Sequence, residues 1–143
     1  HLPLMDEAVR PLAAPTLLPD GPIDPGDLTR MSLLHIQSRP NAWARWFDAQ
    51  GLQPPALPGP SFDQFTTIVQ AAVHGLGVAL LPDYLTGTER SAGSLIPATD
   101  TAPVDLGTYH LVWPSDRPAP PALQAFRDWL ALQRETEEER LPR

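Results

Sequence analysis

Residues 62–85, FDQFTTIVQAAVHGLGVALLPDYL, decide the fold of this chain. The glycines at 75 and 77 predict a turn that ends a helix, because glycine tolerates the left-handed conformation. Residues 78–81 are wholly apolar, as in a strand buried on both faces, and Pro82 suits the first turn of a second helix. This unit predicts an α/β domain with a largely parallel sheet. The helix places its apolar residues on one face, at Phe65, Ile68, Val69, Ala72, Val73 and Leu76.

The flanking sequence predicts further elements of the same kind. Residues 38–50 predict a helix that Ser38 caps and Gly51 follows, with Trp43, Trp46 and Phe47 as its buried face. Alternatively, Trp43 or Trp46 could line the edge of a ligand cleft instead of packing in the core. Short apolar segments predict strands at residues 9–13, 31–36, 57–62, 95–96 and 108–113.

Two more helix boundaries follow from local signals. Ser61 and Gln64 fit a capping box for the central helix, with Ser61 as the N-cap. Two prolines open a closing helix at residues 119–136, because proline is tolerated in the first turn. Its predicted buried stripe consists of Leu123, Phe126 and Leu130, with Trp129 on the flank.

The composition limits the possible functions. The 143 residues suffice for one ordinary domain or two small lobes. The lack of cysteine excludes disulfides and thiolate metal sites. No apolar run approaches the roughly 20 residues that span a membrane, and the N-terminus has no signal-peptide pattern. The net charge is −7 and the ten basic residues, all arginine, are scattered, so we expect no DNA-binding face.

Catalytic and cofactor motifs are absent from the sequence. There is no H-E-x-x-H, no G-x-S-x-G and no phosphate loop, since the chain has no lysine. Gly75 and Gly77 precede a strand, where a dinucleotide loop would follow one, so they predict a turn. The four histidines lack metal spacing and are expected to be structural. We therefore predict no enzyme, no metal and no cofactor.

A binding site is better supported. Open α/β sheets bind small ligands at the carboxyl ends of strands and at helix N-termini. Ser38 and Arg39 precede the first helix, and Ser61, Phe62 and Asp63 precede the central one. Free main-chain N–H groups, hydroxyls and a guanidinium suit an anion such as a carboxylate. The alternative is that both serines only cap their helices.

Two motifs resemble the regulatory domain of LysR-type transcriptional regulators. Their sequences are most similar to those of the glycine-cleavage-activator branch. They are AAVHGLGVALLP at residues 71–82 and PALQAFRDWL at residues 121–130, and the resemblance covers about residues 2–132. It implies a periplasmic-binding-protein-like type II α/β fold with a complete Rossmann-like lobe two and a partial lobe one. Residues 1–36 would close lobe one, residues 37–107 would form the effector-binding lobe two, and residues 108–143 would return to lobe one as a strand and C-terminal helix.

The resemblance also implies a function. A small anionic metabolite or amino acid would bind between the lobes of a cytoplasmic, non-enzymatic sensor, with the strand bearing Tyr109 and His110 near the cleft. Residues 63–74 would help to form a homo-dimer or tetramer. DNA would be bound only through an N-terminal domain that is missing from this chain, and no membrane would be involved.

Two other classes of protein are alternatives. A periplasmic-type solute-binding module of a transport system shares the two-lobe fold, but the missing signal peptide and the FRDWL ending argue against it. An α/β enzyme would use Asp63, His74 or His110, and no spacing supports it.

Overall fold

The computed structural model describes residues 2–111 and 120–140, with side-chain surroundings for residues 7–107 and 120–133. The strands are β1 (Leu2–Ala13), β2 (Leu33–Ile36), β3 (Ser61–Phe62), β4 (Val78–Pro82), β5 (Ile96–Pro97) and β6 (Val104–Leu111). The helices are α1 (Ala42–Ala49), α2 (Phe65–Val73), α3 (Gly87–Ala92) and α4 (Pro121–Arg140). Short 3-10 helices cover Pro15–Leu17, Pro25–Arg30 and Asp83–Leu85.

The chain divides into two compact units. One unit holds residues 8–106, and the other holds the residues before position 8 together with those after position 106. In the second unit, α4 leaves Phe126 and Trp129 about half exposed, and their rings stack with centroids 6.3 Å apart. The predicted buried stripe of the closing helix is therefore wrong for these two residues. None of the described helices is long and apolar enough to cross a membrane.

The sheet of residues 8–106 is mixed. Its strand order is β3-β2-β4-β1-β5, and β6 also pairs with β1. β2 runs parallel to β3 and β4, because α1 and α2 provide the crossovers that parallel neighbours require. β1 runs antiparallel to β4 and β5. The prediction of a largely parallel sheet therefore holds for β2, β3 and β4, but not for β1 and β5.

Two apolar layers cover the two faces of this sheet. Successive strand residues point to opposite faces, so Leu33 and Leu34 of β2 belong to different core clusters. On one face α1 buries Trp43, Trp46 and Phe47, each at most 1% exposed. The core prediction for these residues is therefore confirmed, and the cleft alternative for the tryptophans is wrong. On the other face α2 buries Ile68, Val69, Ala71 and Ala72.

The turn after α2 matches the prediction, but its flanks differ. Gly75 has a φ of +80°, and a Cβ on Gly77 would overlap the carbonyl oxygen of Ser32. Leu76 is 53% exposed, so it lies beyond the helix face to which the periodicity assigned it. Pro82 ends β4 opposite Val9 and is also the N-cap of the 3-10 helix Asp83–Leu85, so the helix predicted at this proline is a single 3-10 turn that begins one residue later.

Both predicted serine caps are wrong. α1 begins at Ala42 with Asn41 as its N-cap. Ser38 cannot cap it, because residues 36–39 form a turn in which the N–H of Arg39 donates to the carbonyl oxygen of Ile36. Ser61 is extended in β3, where it pairs with His35, and α2 begins after Gln64. Pairing with β2 thus outweighs the local capping signal.

Candidate functional site

The parallel strands β2 and β3 end at the same edge of the sheet. Ile36 is the neighbour of Phe62, and the main-chain N–H of Gln37 donates to the carbonyl oxygen of Phe62 over 2.8 Å. The structure therefore brings together the two segments that the sequence singled out, residues 37–39 and residues 61–63. We name them together the strand-end site.

The serines of the strand-end site do not serve as helix caps. The N-cap residues of α1 and α2 are Asn41 and Gln64, and neither side chain makes a capping hydrogen bond. Ser38 and Ser61 are both exposed, as is Asp63. The alternative in which both serines only cap their helices is therefore wrong, and the role of their hydroxyls in ligand binding stays a prediction.

A cation and an aromatic ring complete the strand-end site. The main-chain N–H of Arg39 donates to Ile36, and its guanidinium Nη1 donates to the carbonyl oxygen of Ser38 over 3.4 Å, so the side chain stays beside the turn. Phe62 is half-buried against the core cluster of α2. A guanidinium and hydroxyls at one edge of a sheet are groups that suit a small ligand carrying a carboxylate.

Tyr109 and His110 complete the predicted set. Their main chain lies in β6, but their side chains lie outside the residues whose surroundings the structure describes. Their place near a ligand stays a prediction.

Asp63 and His74, two of the residues that an enzyme would use, are not arranged as an acid–base pair. Asp63 precedes α2 and His74 follows it, so the helix keeps them roughly 16 Å apart at 1.5 Å per residue. Among the described residues, no cluster of three histidine or acidic side chains could hold a metal ion. The enzyme alternative thus gains no geometric support from these two residues.

Two residues that the sequence did not assign to the site contact the segment leading into β3 or belong to it. His35 was expected to be structural, and its ring Nε2 lies 2.9 Å from the carbonyl oxygen of Leu57, in the segment that leads into β3. Gly59, which was not singled out, has a φ of +156° and passes against the main chain of Leu33. The only signal for Gly59 was its position between Pro58 and Pro60.

Comparisons with known proteins agree on one family. The model of the LysR substrate binding domain matches residues 1–134. The transcriptional activator AmpR of Rhodobacter capsulatus is 37% identical over 132 residues, which are 92% of this chain and 45% of that protein. The glycine cleavage system transcriptional activator of Escherichia coli is 31% identical, over 96% of this chain and 46% of that protein. The chain thus spans about half the length of the curated relatives it matches.

Solved structures show the same relationship. The effector domain of AmpR from Pseudomonas aeruginosa superposes with a TM-score of 0.80 at 28% identity, over 95% of this chain and 65% of that one. The AmpR effector binding domain from Citrobacter freundii superposes with a TM-score of 0.75 at 30% sequence identity, over 93% of this chain and 66% of that one. A periplasmic solute-binding module is not favoured. The chain belongs to the LysR substrate-binding domain family, the effector-sensing domains of LysR-type transcriptional regulators, and has their periplasmic-binding-protein-like type II α/β fold.

Proposed function

We propose that the strand-end site binds a small anionic metabolite or an amino acid, and that this binding regulates a longer transcription factor. The observation that carries the proposal is the hydrogen bond from Gln37 to Phe62, which sets Ser38 and Arg39 beside Ser61 and Asp63. Arg39 would pair with a carboxylate of the ligand, and the hydroxyls would orient it. Tyr109 and His110 of β6 are proposed as further contacts.

Ligands of proteins with the same fold support a small molecule. The effector binding domain of QuiR was solved with shikimate, the CcmR regulatory domain of Synechocystis with 2-PG, and LysG of Corynebacterium glutamicum with the effector Arg. These proteins are 18–21% identical to this chain. They support the class of ligand and leave its identity to experiment.

Regulation would follow from a shift between two conformations. A ligand moves such an equilibrium only by the difference in its affinity for the two states. DNA binding would lie outside this chain, whose ten arginines are outnumbered by 17 acidic residues. We place the complete regulator in the cytoplasm, as a homo-dimer or tetramer.

The proposed site is tested by calorimetric titration of the chain, and of the full-length protein, with a panel of amino acids and small organic acids. Ser61→Ala and Arg39→Gln should each weaken the binding of a panel member by about ten-fold, as expected when a charge-assisted or buried hydrogen bond is lost. Ser91→Ala and Arg30→Gln remove the same groups from exposed positions outside the site and should leave affinity unchanged. Equal affinity in all four variants would contradict the proposed site.

A further inference from the structure

The segment that leads into β3 continues the parallel pairing well beyond the two residues of the strand. Along β2 the N–H groups of Leu33, His35 and Gln37 donate in turn to Pro58 at 3.1 Å, Pro60 at 2.9 Å and Phe62 at 2.8 Å. Proline has no N–H, so the return bonds at positions 58 and 60 cannot form. The edge strand that carries the strand-end site is therefore held by an incomplete ladder.

With fewer main-chain hydrogen bonds, the register of this edge depends more on other contacts. A slip of one residue along β2 would turn every side chain of the strand to the opposite face. Ser61 would then exchange orientation with its neighbours, and Asp63 would no longer follow β3 beside residues 37–39. Gly59, which passes against Leu33 where no Cβ would fit, disfavours such a slip, and a side-chain hydrogen bond between β2 and residues 57–63 would hold the alignment further.

His35 supplies that contact. Its ring Nε2 lies 2.9 Å from the carbonyl oxygen of Leu57, and because a carbonyl only accepts, Nε2 carries the proton. Its main-chain N–H holds Pro60, and its Cα is the register partner of Ser61. One residue of β2 thus holds the segment at both Leu57 and Pro60, immediately before the site begins.

We infer that His35 is a positioning residue for the strand-end site, whose ring hydrogen bond to Leu57 fixes the register of residues 57–63 against β2. The inference rests on the proposed function only in treating that edge as the place where a ligand binds. His35 would not touch the ligand, and it acts by keeping Ser61 and Asp63 beside Arg39.

Amide hydrogen exchange in the ligand-free chain tests the positioning role directly. His35→Ala should speed exchange at the Gln37 amide by roughly five- to ten-fold, the factor that matches the net loss of one hydrogen bond. The Ala98 amide, which donates to Pro11 at the other end of the sheet, should not change and reports any global loss of stability. His35→Gln keeps an N–H donor at similar reach and should restore slow exchange.

A second measurement separates this inference from the proposed function. L-Glutamate is titrated into the wild type, His35→Ala and His35→Gln, with the remainder of the panel if it does not bind. Weakened binding in His35→Ala with recovery in His35→Gln supports both proposals. A wild type that binds no panel member contradicts the proposed function, while the exchange result still decides the role of His35.

The inference about His35 is overturned if Gln37 exchanges at the wild-type rate in His35→Ala. It is equally overturned if His35→Gln exchanges as fast as His35→Ala, because the hydrogen bond would then be irrelevant. His35→Phe retains the volume of the ring without its N–H, and it takes the place of His35→Ala should that variant fail to fold.

Discussion

Gly59 passes so close to the carbonyl oxygen of Leu33 that a Cβ at position 59 would overlap it. The φ of Gly59, +156°, is also one that residues with a side chain rarely adopt. This approach is what allows the proline-flanked segment to lie along β2 and present Ser61 at the edge of the sheet.

Gly59→Ala should therefore destabilise the domain through two effects, the strained backbone and the displaced segment. We expect the free energy of unfolding to fall by about 2–3 kcal/mol, measured by urea denaturation. Gly26→Ala is the matched control, since Gly26 has open space around its Cα and no positive φ, and its change should stay within about 0.5 kcal/mol. Equal losses in the two variants would show that the close approach to Leu33 is unimportant.

The two buried tryptophans of α1 provide a second comparison. Trp43 and Trp46 are 1% and 0% exposed and meet edge to face, with centroids 5.6 Å apart. The indole N–H of Trp43 donates to Leu34 over 2.9 Å, whereas that of Trp46 finds no acceptor among the described residues. Replacement by phenylalanine removes a similar volume at both sites but a hydrogen bond at only one.

Trp43→Phe should cost about 1 kcal/mol more than Trp46→Phe, because only the first variant leaves an acceptor without its donor. Urea denaturation of both variants measures the difference, and the slopes should agree with that of the wild type if the denatured states are alike. A greater loss in Trp46→Phe would mean that its N–H contributes more than the structure indicates.

The central helix, its turn and β4 were predictable because their signals are local. Apolar residues at helical spacing, a glycine turn and a run of apolar residues act within a dozen positions, and α1 and α2 lie within the ranges that these patterns predicted. The caps were not predictable, because Ser61 takes its conformation from pairing with His35, 26 positions earlier. Pairing between segments so distant in sequence leaves no local signal.

The candidate site shows the same division. The residue types that suit a carboxylate ligand were visible in the sequence at Ser38, Arg39, Ser61 and Asp63. That β2 and β3 are neighbours, and that Gln37 meets Phe62, depends on the strand order of the sheet. The resemblance to a family implied the type of fold, but no strand order was predicted, and hydrophobic periodicity alone left it open.

An ion-pair network joins β1 to the segment after β4 and gives a salt-dependent prediction. Arg10 Nε lies 2.8 Å from Asp83 Oδ1, its Nη2 donates to Oδ2 over 3.0 Å, and Arg90 Nη1 lies 3.0 Å from Oδ1. The Asp83 side chain is 46% exposed, so water screens both pairs. The network should contribute modestly to stability and only at low ionic strength.

Asp83→Asn should lower the free energy of unfolding by about 0.5–1 kcal/mol at low salt, and the difference from the wild type should shrink in about 1 M sodium chloride. Asp24→Asn is the control, because Asp24 is exposed and its side chain makes no capping bond to the 3-10 helix that follows. Urea denaturation of both variants and the wild type at two salt concentrations measures these differences. A salt-independent loss in Asp83→Asn would point to packing instead of charge.

The outward face of α2 has the composition of a protein contact. Thr66, Thr67, Gln70 and His74 are exposed, and the helix contains no lysine, arginine, aspartate or glutamate. Exposed helix faces of monomeric proteins usually carry charged residues, and depletion of charge is typical of the core of an interface. These features support the proposed self-association through residues 63–74, with the same face on both copies about a two-fold axis.

Gln70→Arg should weaken that association by about ten-fold, since the two-fold symmetry would bring two uncompensated charges into one desolvated contact. Thr88→Arg adds the same charge at an exposed position on α3 and should leave the association unchanged. Sedimentation equilibrium over a range of micromolar concentrations, with light scattering for the mass, measures both variants. A monomeric wild type at high micromolar concentration, or equal weakening by Thr88→Arg, would rule out α2 as the contact.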